Sequence, residues 1–145
     1  MPDDIEIVEL ERADVDRVRS AAALFDQAPQ DAAVDRFLKE STHHLLIAYA
    51  NGAPAGFISG VETTHPDKGT EMFLYELGVD QPARRHGIGT ALVETLAAVA
   101  RDRGCRGMWV IADAGNAAAT GTYSKAGGHP EATNQVMYGW SFRSP

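Results

Sequence analysis

The stretch that most constrains this chain is an apolar strand running into a glycine-rich turn and then a helix: Tyr75-Glu76-Leu77-Gly78-Val79, followed by Arg84-Arg85-His86-Gly87-Ile88-Gly89-Thr90. Two glycines flanking Ile88 let the backbone bend tightly and bring N–H groups close to an anion. The helix that follows, from Thr90 to Arg103, points its unpaired N-terminal N–H groups and positive dipole end at the same place. Arg84 and Arg85 add side-chain charge. A diphosphate suits a cradle built from Arg84, Arg85, His86, Gly87, Ile88, Gly89 and Thr90 better than a single carboxylate does. Two familiar phosphate motifs are excluded: no Lys follows Gly89, as a P-loop requires, and the third glycine of a dinucleotide fingerprint is missing.

At 145 residues, 44% hydrophobic and 23% charged, the chain has the make-up of one globular domain spanning residues 1–145. No apolar run approaches the ~20 residues that span a bilayer, and the start Met1-Pro2-Asp3-Asp4 is acidic, so a cytoplasmic protein without a membrane partner is expected. The single cysteine, Cys105, excludes an internal disulfide and fits a reducing compartment. A net charge of −7 argues against a nucleic-acid partner and allows a preference for cationic substrates. His43, His44 and His65 have no metal-ligand spacing with Cys105 or a carboxylate cluster, so no metal site is expected. A homodimer is compatible with the sequence.

Ile5 to Leu10 reads as a strand, and Asp14 opens a helix carrying Val15, Val18, Ala22 and Phe25 as far as Pro29. Asp31 to Glu40 is a second helix with Val34, Phe37 and Leu38 on one face. His44–Ala50 and Ala55–Val61 form a hairpin around Asn51-Gly52. Glu62 to Thr70, with Pro66 and Gly69, reads as a polar loop, and Met72 to Val79 as the fourth strand. Ile88, Leu92, Leu96 and Val99 stripe the next helix, which Gly104 ends. Met108–Ala112 is a fifth strand, Asn116–Ala126 a helix, and Val136, Tyr138, Trp140 and Phe142 alternate along a half-buried last strand. Trp109 and Trp140 are both expected to pack. The strand–helix–strand run from Met72 to Ala112 predicts a parallel pair inside a sheet that is otherwise antiparallel, an α+β fold.

Gly78 marks a bulge or a close backbone approach inside the fourth strand. A bulge there would splay the fourth strand from the fifth and leave backbone groups unpaired. Backbone N–H groups of Leu77 or Val79 can polarise a carbonyl, as oxyanion holes do. Glu76, a carboxylate in an apolar strand, gains a raised pKa by desolvation and so the properties of a general base, unless it faces solvent or pairs with an arginine. Glu71 and Asp113 are further acids able to hold a cationic amine. Tyr123, in the helix after the fifth strand, reads by itself as an amphipathic core residue. Asn116 can bind a ligand or cap its own helix.

The turn resembles the pyrophosphate loop of the GNAT N-acetyltransferase superfamily, Arg/Gln-x-x-Gly-x-Gly/Ala, at Arg84, Gly87 and Gly89. Tyr123-Ser124-Lys125-Ala126-Gly127 resembles its Tyr-x-Lys-x-Gly segment. The resemblance implies the GNAT fold, acetyl-CoA as cosubstrate and direct attack in a ternary complex. It further implies a pantetheine arm lying along Leu77, Gly78 and Val79, Asn116 beside that arm, and Tyr123 protonating the coenzyme thiolate. Within the superfamily, Tyr75-Glu76-Leu77-Gly78-Val79 and Arg84-Arg85-His86-Gly87-Ile88-Gly89-Thr90-Ala91-Leu92 are similar to segments of aminoglycoside 3-N-acetyltransferases of the gentamicin-resistance type, Tyr-Asp-Leu-Ala-Val and Arg-Arg-Gln-Gly-Ile-Ala-Thr-Ala-Leu. That likeness implies an aminoglycoside acceptor, acetylated at its 3-amino group and facing Glu76 and Asp113, and so a role in antibiotic resistance. Two departures stand out: Glu76 replaces the family's Asp, and Gly128 replaces an aromatic residue. Another small amine or polyamine as acceptor, and an acyl-CoA-binding module without turnover, are the other readings of the same residues.

Overall fold

A computed structural model describes residues 4–143. The apolar runs His43–Ala50 and Ala53–Gly60 suit strands covered on both faces, and they lie at the middle of the structure. The chain runs β1 (Ile5–Glu9), α1 (Val15–Ser20), α2 (Asp31–Lys39), β2 (His43–Ala50), β3 (Ala53–His65), β4 (Gly69–Val79), α3 (Ile88–Asp102), β5 (Met108–Trp109) and α4 (Ala117–Lys125). The sheet order is β1-β2-β3-β4-β5, antiparallel throughout except for the parallel pair β4–β5. The expected mixed α+β sheet is thus observed.

Each sheet face has its own core. On one, Leu46, Ala48, Ile58, Met72 and Leu74 meet Ile88, Leu92 and Leu96 of α3. Leu92 and Leu96 are fully buried, and sequestering each contributes about 1.5–3 kcal/mol. On the other face Leu45, Ile47, Tyr49 and Phe57 pack with Leu10, Val18 and Ala21. Phe25 stacks on Phe57 at 4.4 Å between ring centroids.

Four expectations change. The helix expected from Asp14 stops at Ser20 and gives way to a single 3₁₀ turn, Ala22–Leu24. The expected loop from Glu62 to Thr70 is mostly strand, turning only at residues 66–68. β-Branched Thr63, Thr64 and Thr70 favour extension there, and the Thr64 and Thr70 hydroxyls bond across the hairpin at 2.9 Å. The fifth strand is two residues long rather than five, because β4 and β5 pair only at Met72–Met108 and Phe73–Trp109. The last strand does not form among the described residues: Val136, Tyr138, Trp140 and Phe142 are 75–91% exposed. Trp140 is therefore unpacked, and Trp109 is half-exposed against Phe73.

Candidate active site

The strand that carries the candidate base contains one extra residue. Ser59 pairs with Glu76 but Gly60 with Leu74, so Tyr75 is a bulge. In a regular strand Leu74 and Glu76 would share a face. The bulge instead leaves Leu74 in the α3 core and turns Tyr75 and Glu76 toward α1 and α2, while Leu77 and Val79 return to the α3 side. The expected irregularity thus lies three residues before Gly78. Gly78 serves the other purpose anticipated for it, close approach: a Cβ there would lie 2.7 Å from the Phe57 ring and 3.3 Å from the Leu24 carbonyl.

Glu76 opens into a groove of about 250 Å³ between β3–β4 and the first two helices. Phe25, Val34, Phe37, Leu45 and Tyr75 form most of its walls, Ser59 and Gln30 add polar groups, and Glu76 is the only carboxylate lining it among the described residues. Burial raises the Glu76 pKa above the ordinary glutamate value, and the charge of nearby Asp26 adds to the rise. A carboxylate so placed is a better proton acceptor than an ordinary glutamate and can serve as a general base toward an attacking amine.

The opposite face carries the glycine turn. Gly87 is left-handed at φ 80° and serves as N-cap of α3, which begins two residues earlier than expected. No side chain caps that end, so the first N–H groups of α3, on Ile88, Gly89 and Thr90, stay available. Arg85 is also left-handed, at φ 68°, and such residues make concave runs of N–H groups that hold anions. Arg85 and His86 are exposed, whereas Arg84 folds back and donates Nε–H to the Val79 carbonyl at 3.1 Å. A Cβ on Gly89 would lie 3.3 Å from the Thr122 methyl and 3.6 Å from Val79, so its absence lets α4 close on the start of α3. Beside Thr122, Tyr123 packs on the α3-side core, and burial raises its hydroxyl pKa, keeping it protonated.

The two half-sites are separated by the sheet and meet where the sheet is open. Met72 N–H reaches Gly107 O at 2.9 Å, but after Phe73 the strand β4 runs on for six residues to Val79 with no strand beside it on the β5 side, among the described residues. The expected splay between the fourth and fifth strands is this opening. A ligand with a diphosphate at one end and a thioester on an extended arm fits it: available N–H groups at α3 and an edge along Leu77, Gly78 and Val79 with no strand beside it, where Arg84 bonds the Val79 carbonyl.

Three candidates are placed elsewhere or otherwise engaged. Glu71 lies five residues before Glu76 on β4, about 16 Å away at ~3.3 Å per residue, and pairs with Arg106 at 3.5 Å. Asp113 is exposed beyond β5 and accepts the Gly115 N–H at 2.9 Å. Asn116 caps α4, its Oδ1 accepting from Ala119 N–H at 3.1 Å.

Sequence reading missed the groove walls and one buried network. Apolar positions on α1 and α2 were visible, but not that Phe25, Val34 and Phe37 surround Glu76. His44 is buried, with Nδ1 at 2.9 Å from Glu9 and Nε2 at 2.7 Å from Glu62; Arg103 Nε donates to the same Glu62 oxygen at 2.7 Å. This network ties β1, β2 and β3 to the far end of α3. A hollow of about 460 Å³ adjoins it, lined by Glu9, Glu40, His43 and Arg103 and by no residue of the glycine turn.

Residues 7–128 match the family model described as Acetyltransferase (GNAT) family. No curated protein matches the chain. Among solved structures, it is similar to an aminoglycoside acetyltransferase, meta-AAC0020, from an uncultured soil metagenomic sample, in complex with trehalose (TM-score 0.82, 19% identity, 97% of each chain covered). A second such enzyme from soil metagenomic DNA, HMB0005, has a TM-score of 0.81 at 24% identity, covering 94% of this chain and 99% of the other. A ribosomal-protein-alanine N-acetyltransferase from Brucella melitensis biovar Abortus 2308 has a TM-score of 0.72 at 20% identity, covering 93% and 99%. At these identities the structures establish the fold and leave the acceptor open. The family match and the geometry of the glycine turn together make this chain a member of the GNAT acetyltransferase family, an enzyme that uses acetyl-CoA.

Proposed function

We propose that the chain transfers acetyl from acetyl-CoA to an amine of an aminoglycoside, at its 3-amino group, with Glu76 as general base. The observation that carries the reading is the placement of Glu76: a partly buried carboxylate of raised pKa, turned by the Tyr75 bulge to the face opposite the glycine turn, beside the gap between β4 and β5. Acetyl-CoA, when bound, supplies the acetyl group as a thioester. The N–H groups at the start of α3 and the cradle from Arg84 to Thr90 hold its diphosphate, and the Leu77–Val79 edge holds its arm. Asn116, through the side of its amide not used in capping, adds to that hold. Glu76 accepts the proton of the attacking amine. Leu77 or Val79 N–H steadies negative charge on the carbonyl oxygen, and the protonated Tyr123 hydroxyl supplies the proton for the departing thiolate.

The aminoglycoside acceptor rests on the likeness of the Tyr75–Val79 and Arg84–Leu92 segments to the gentamicin-type enzymes. It is supported by the fold neighbours, of which meta-AAC0020 was solved with sisomicin and AAC(6')-Iy with a bisubstrate analogue, CoA-S-monomethyl-acetylneamine. In this reading Asp113 holds a second ammonium group of the antibiotic, Glu71 is too distant to share that task, and the reaction takes place in the cytoplasm.

A specific observation favours a second reading. The groove around Glu76 is walled by aromatic and aliphatic side chains and offers one carboxylate, where a polycation would gain from several. An amine on an apolar body fits those walls. Coenzyme A release measured with gentamicin, sisomicin, spermidine and phenethylamine separates the alternatives. Gentamicin turnover with product mapping to the 3-amine supports the first. Turnover of phenethylamine alone supports the second, and coenzyme binding without turnover of any amine would indicate a binding module and refute both.

A further inference from the structure

Scattered apolar side chains on a surface need no explanation, but a contiguous group of them marks a contact. Outside residues 136–142, the large apolar side chains exposed among the described residues are Tyr75, Trp109 and Ile111, and the two aromatic ones are joined through a third ring. Met72 and Leu74 are buried on the α3 side, so Phe73 between them turns to the face that carries Glu76. Met108 and Val110 also pack on the α3-side core, and Trp109 between them turns with Phe73. The Phe73 ring meets Trp109 at 4.4 Å between centroids, tilted by 33°, and Tyr75 at 5.9 Å, nearly perpendicular at 76°. Tyr75 is also a wall of the groove into which Glu76 opens. An aromatic row thus leads from the carboxylate across β4 to the outer strand of the sheet.

We infer that Tyr75, Phe73 and Trp109 form a stacking subsite that selects amines borne on a ring with an apolar face: the ring lies on this row while the amine reaches Glu76. This placement rests on the reading of Glu76 as the base that meets the acceptor. Tyr75 and Phe73 make a corner rather than a stack. A ring seated in it offers its face to one and its edge to the other, the two arrangements that aromatic pairs prefer. Trp109 gives one face to Phe73 and, still 41% exposed, keeps surface for a ligand. The bulge builds the seat. Neighbours in a regular strand point to opposite faces, whereas the extra residue at Tyr75 puts its ring and the Glu76 carboxylate on one face. Size favours a small ligand over a protein partner: rings of roughly 150–250 Å² each, partly covered by one another, leave on the order of 300 Å², well short of the ~1,200 Å² at the low end of stable interfaces. Charge limits the ligand further. Among the described residues the groove offers Glu76 as its one carboxylate, enough for one ammonium, so apolar contact must hold the rest of the acceptor. A rigid ring fills such a corner with fewer rotors to freeze than an alkyl chain of equal carbon count.

The test varies the body of the acceptor at a constant amine. Coenzyme A release is measured with phenethylamine, 2-cyclohexylethylamine, gentamicin and n-hexylamine in the wild type, Tyr75→Leu and Trp109→Leu. Leucine keeps apolar bulk and removes the ring, and both positions are exposed, so the fold is expected to survive. Each variant is expected to raise KM for ring-bearing amines about three- to tenfold, with kcat and the KM values for n-hexylamine and acetyl-CoA within about twofold. Loss confined to gentamicin identifies a sugar ring as the occupant, and loss confined to the two carbocyclic amines an arene or alicyclic ring; both support the subsite. Equal loss for n-hexylamine, or no loss with any amine, overturns it. A second readout needs no turnover. In a Trp140→Phe background Trp109 is the only tryptophan, and its emission is titrated with the same amines. A saturable change with a ring-bearing amine, weakened about three- to tenfold by Tyr75→Leu, is expected. It is expected to persist in Glu76→Gln, so an enzyme whose Glu76→Gln variant turns over normally loses its proposed base and keeps the subsite. If no amine is turned over, the emission titration decides alone: no saturable change with any ring-bearing amine overturns the subsite.

Discussion

Ser59 and Glu76 stand directly opposite each other on β3 and β4, on the face covered by the first two helices, while their neighbours Gly60 and Leu74 pair on the α3 side. The extra residue Tyr75 makes the two pairings compatible, so the bulge decides which face receives the carboxylate. Both residues line the same groove. A bulky side chain at Ser59 therefore competes with the acceptor: Ser59→Phe is expected to raise the acceptor KM about tenfold or more, at roughly 1.4 kcal/mol per decade, and to leave the acetyl-CoA KM unchanged. Steady-state kinetics with each substrate varied in turn checks it. Equal changes in both KM values would mean that the groove is not the acceptor site.

Gly87 combines a left-handed φ of 80° with the uncapped start of α3. Gly87→Val strains the backbone by about 1–3 kcal/mol, and its β-branched side chain obstructs approach to the N–H groups. Coenzyme A affinity measured by calorimetry is expected to fall tenfold or more, with kcat at saturating coenzyme changed less. Unaltered affinity would remove the turn from the binding site.

Tyr123 is half-buried and keeps its proton because burial raises the hydroxyl pKa. Tyr123→Phe preserves the ring that packs on the α3 core and removes only the hydroxyl. Turnover is expected to drop on the order of 10²-fold, with acetyl-CoA affinity within a factor of about three by calorimetry. A rate within a factor of two of wild type would make Tyr123 a packing residue.

Glu62 tests the structural network at the other end of α3. Burial acts to raise its pKa, but hydrogen bonds from His44 and Arg103, and their charges, outweigh this and hold it below the ordinary glutamate value. A carboxylate whose folded pKa is lowered stabilises the fold above its unfolded pKa, and that stability is lost as pH falls through the folded value. Glu62→Gln is thus expected to cost about 1–3 kcal/mol at neutral pH and to flatten the loss of stability in acid below the glutamate range. Urea denaturation as a function of pH reads both. Acetyl-CoA affinity is expected to be unchanged, since the network touches neither half-site.

The parts of the fold legible in sequence are those set by local pattern. The stripe Ile88, Leu92, Leu96 appears as the buried face of α3, and Asn51-Gly52 as the turn between β2 and β3. The glycine turn is legible as an anion site because φ at Gly87 and the helix start are local facts. What was hidden depends on partners far along the chain. His44 is given its role by Glu9 and Glu62, 35 and 18 residues away. The bulge at Tyr75 is a matter of register against β3, which period-2 alternation does not encode, whereas Gly78 marks a close approach three residues further on. Thr63, Thr64 and Thr70 counted for less than Pro66 and Gly69 in reading a loop where a hairpin stands. The alternation from Val136 to Phe142 was plain to read, but whether a partner strand exists within one chain is beyond local pattern.

The pH dependence of acetyl transfer in wild type and Glu76→Gln addresses the central claim most directly. Because burial raises the Glu76 pKa, its ionised form is disfavoured in the folded protein, so Glu76→Gln is expected to keep or slightly raise the melting temperature at neutral pH. In the wild type, kcat/KM is expected to rise with pH along a limb whose midpoint lies above the ordinary glutamate value. In the variant that limb is expected to vanish and the rate to fall by about 10²–10³, with coenzyme A binding intact. An unchanged limb and rate in a folded, coenzyme-binding Glu76→Gln enzyme would contradict the account.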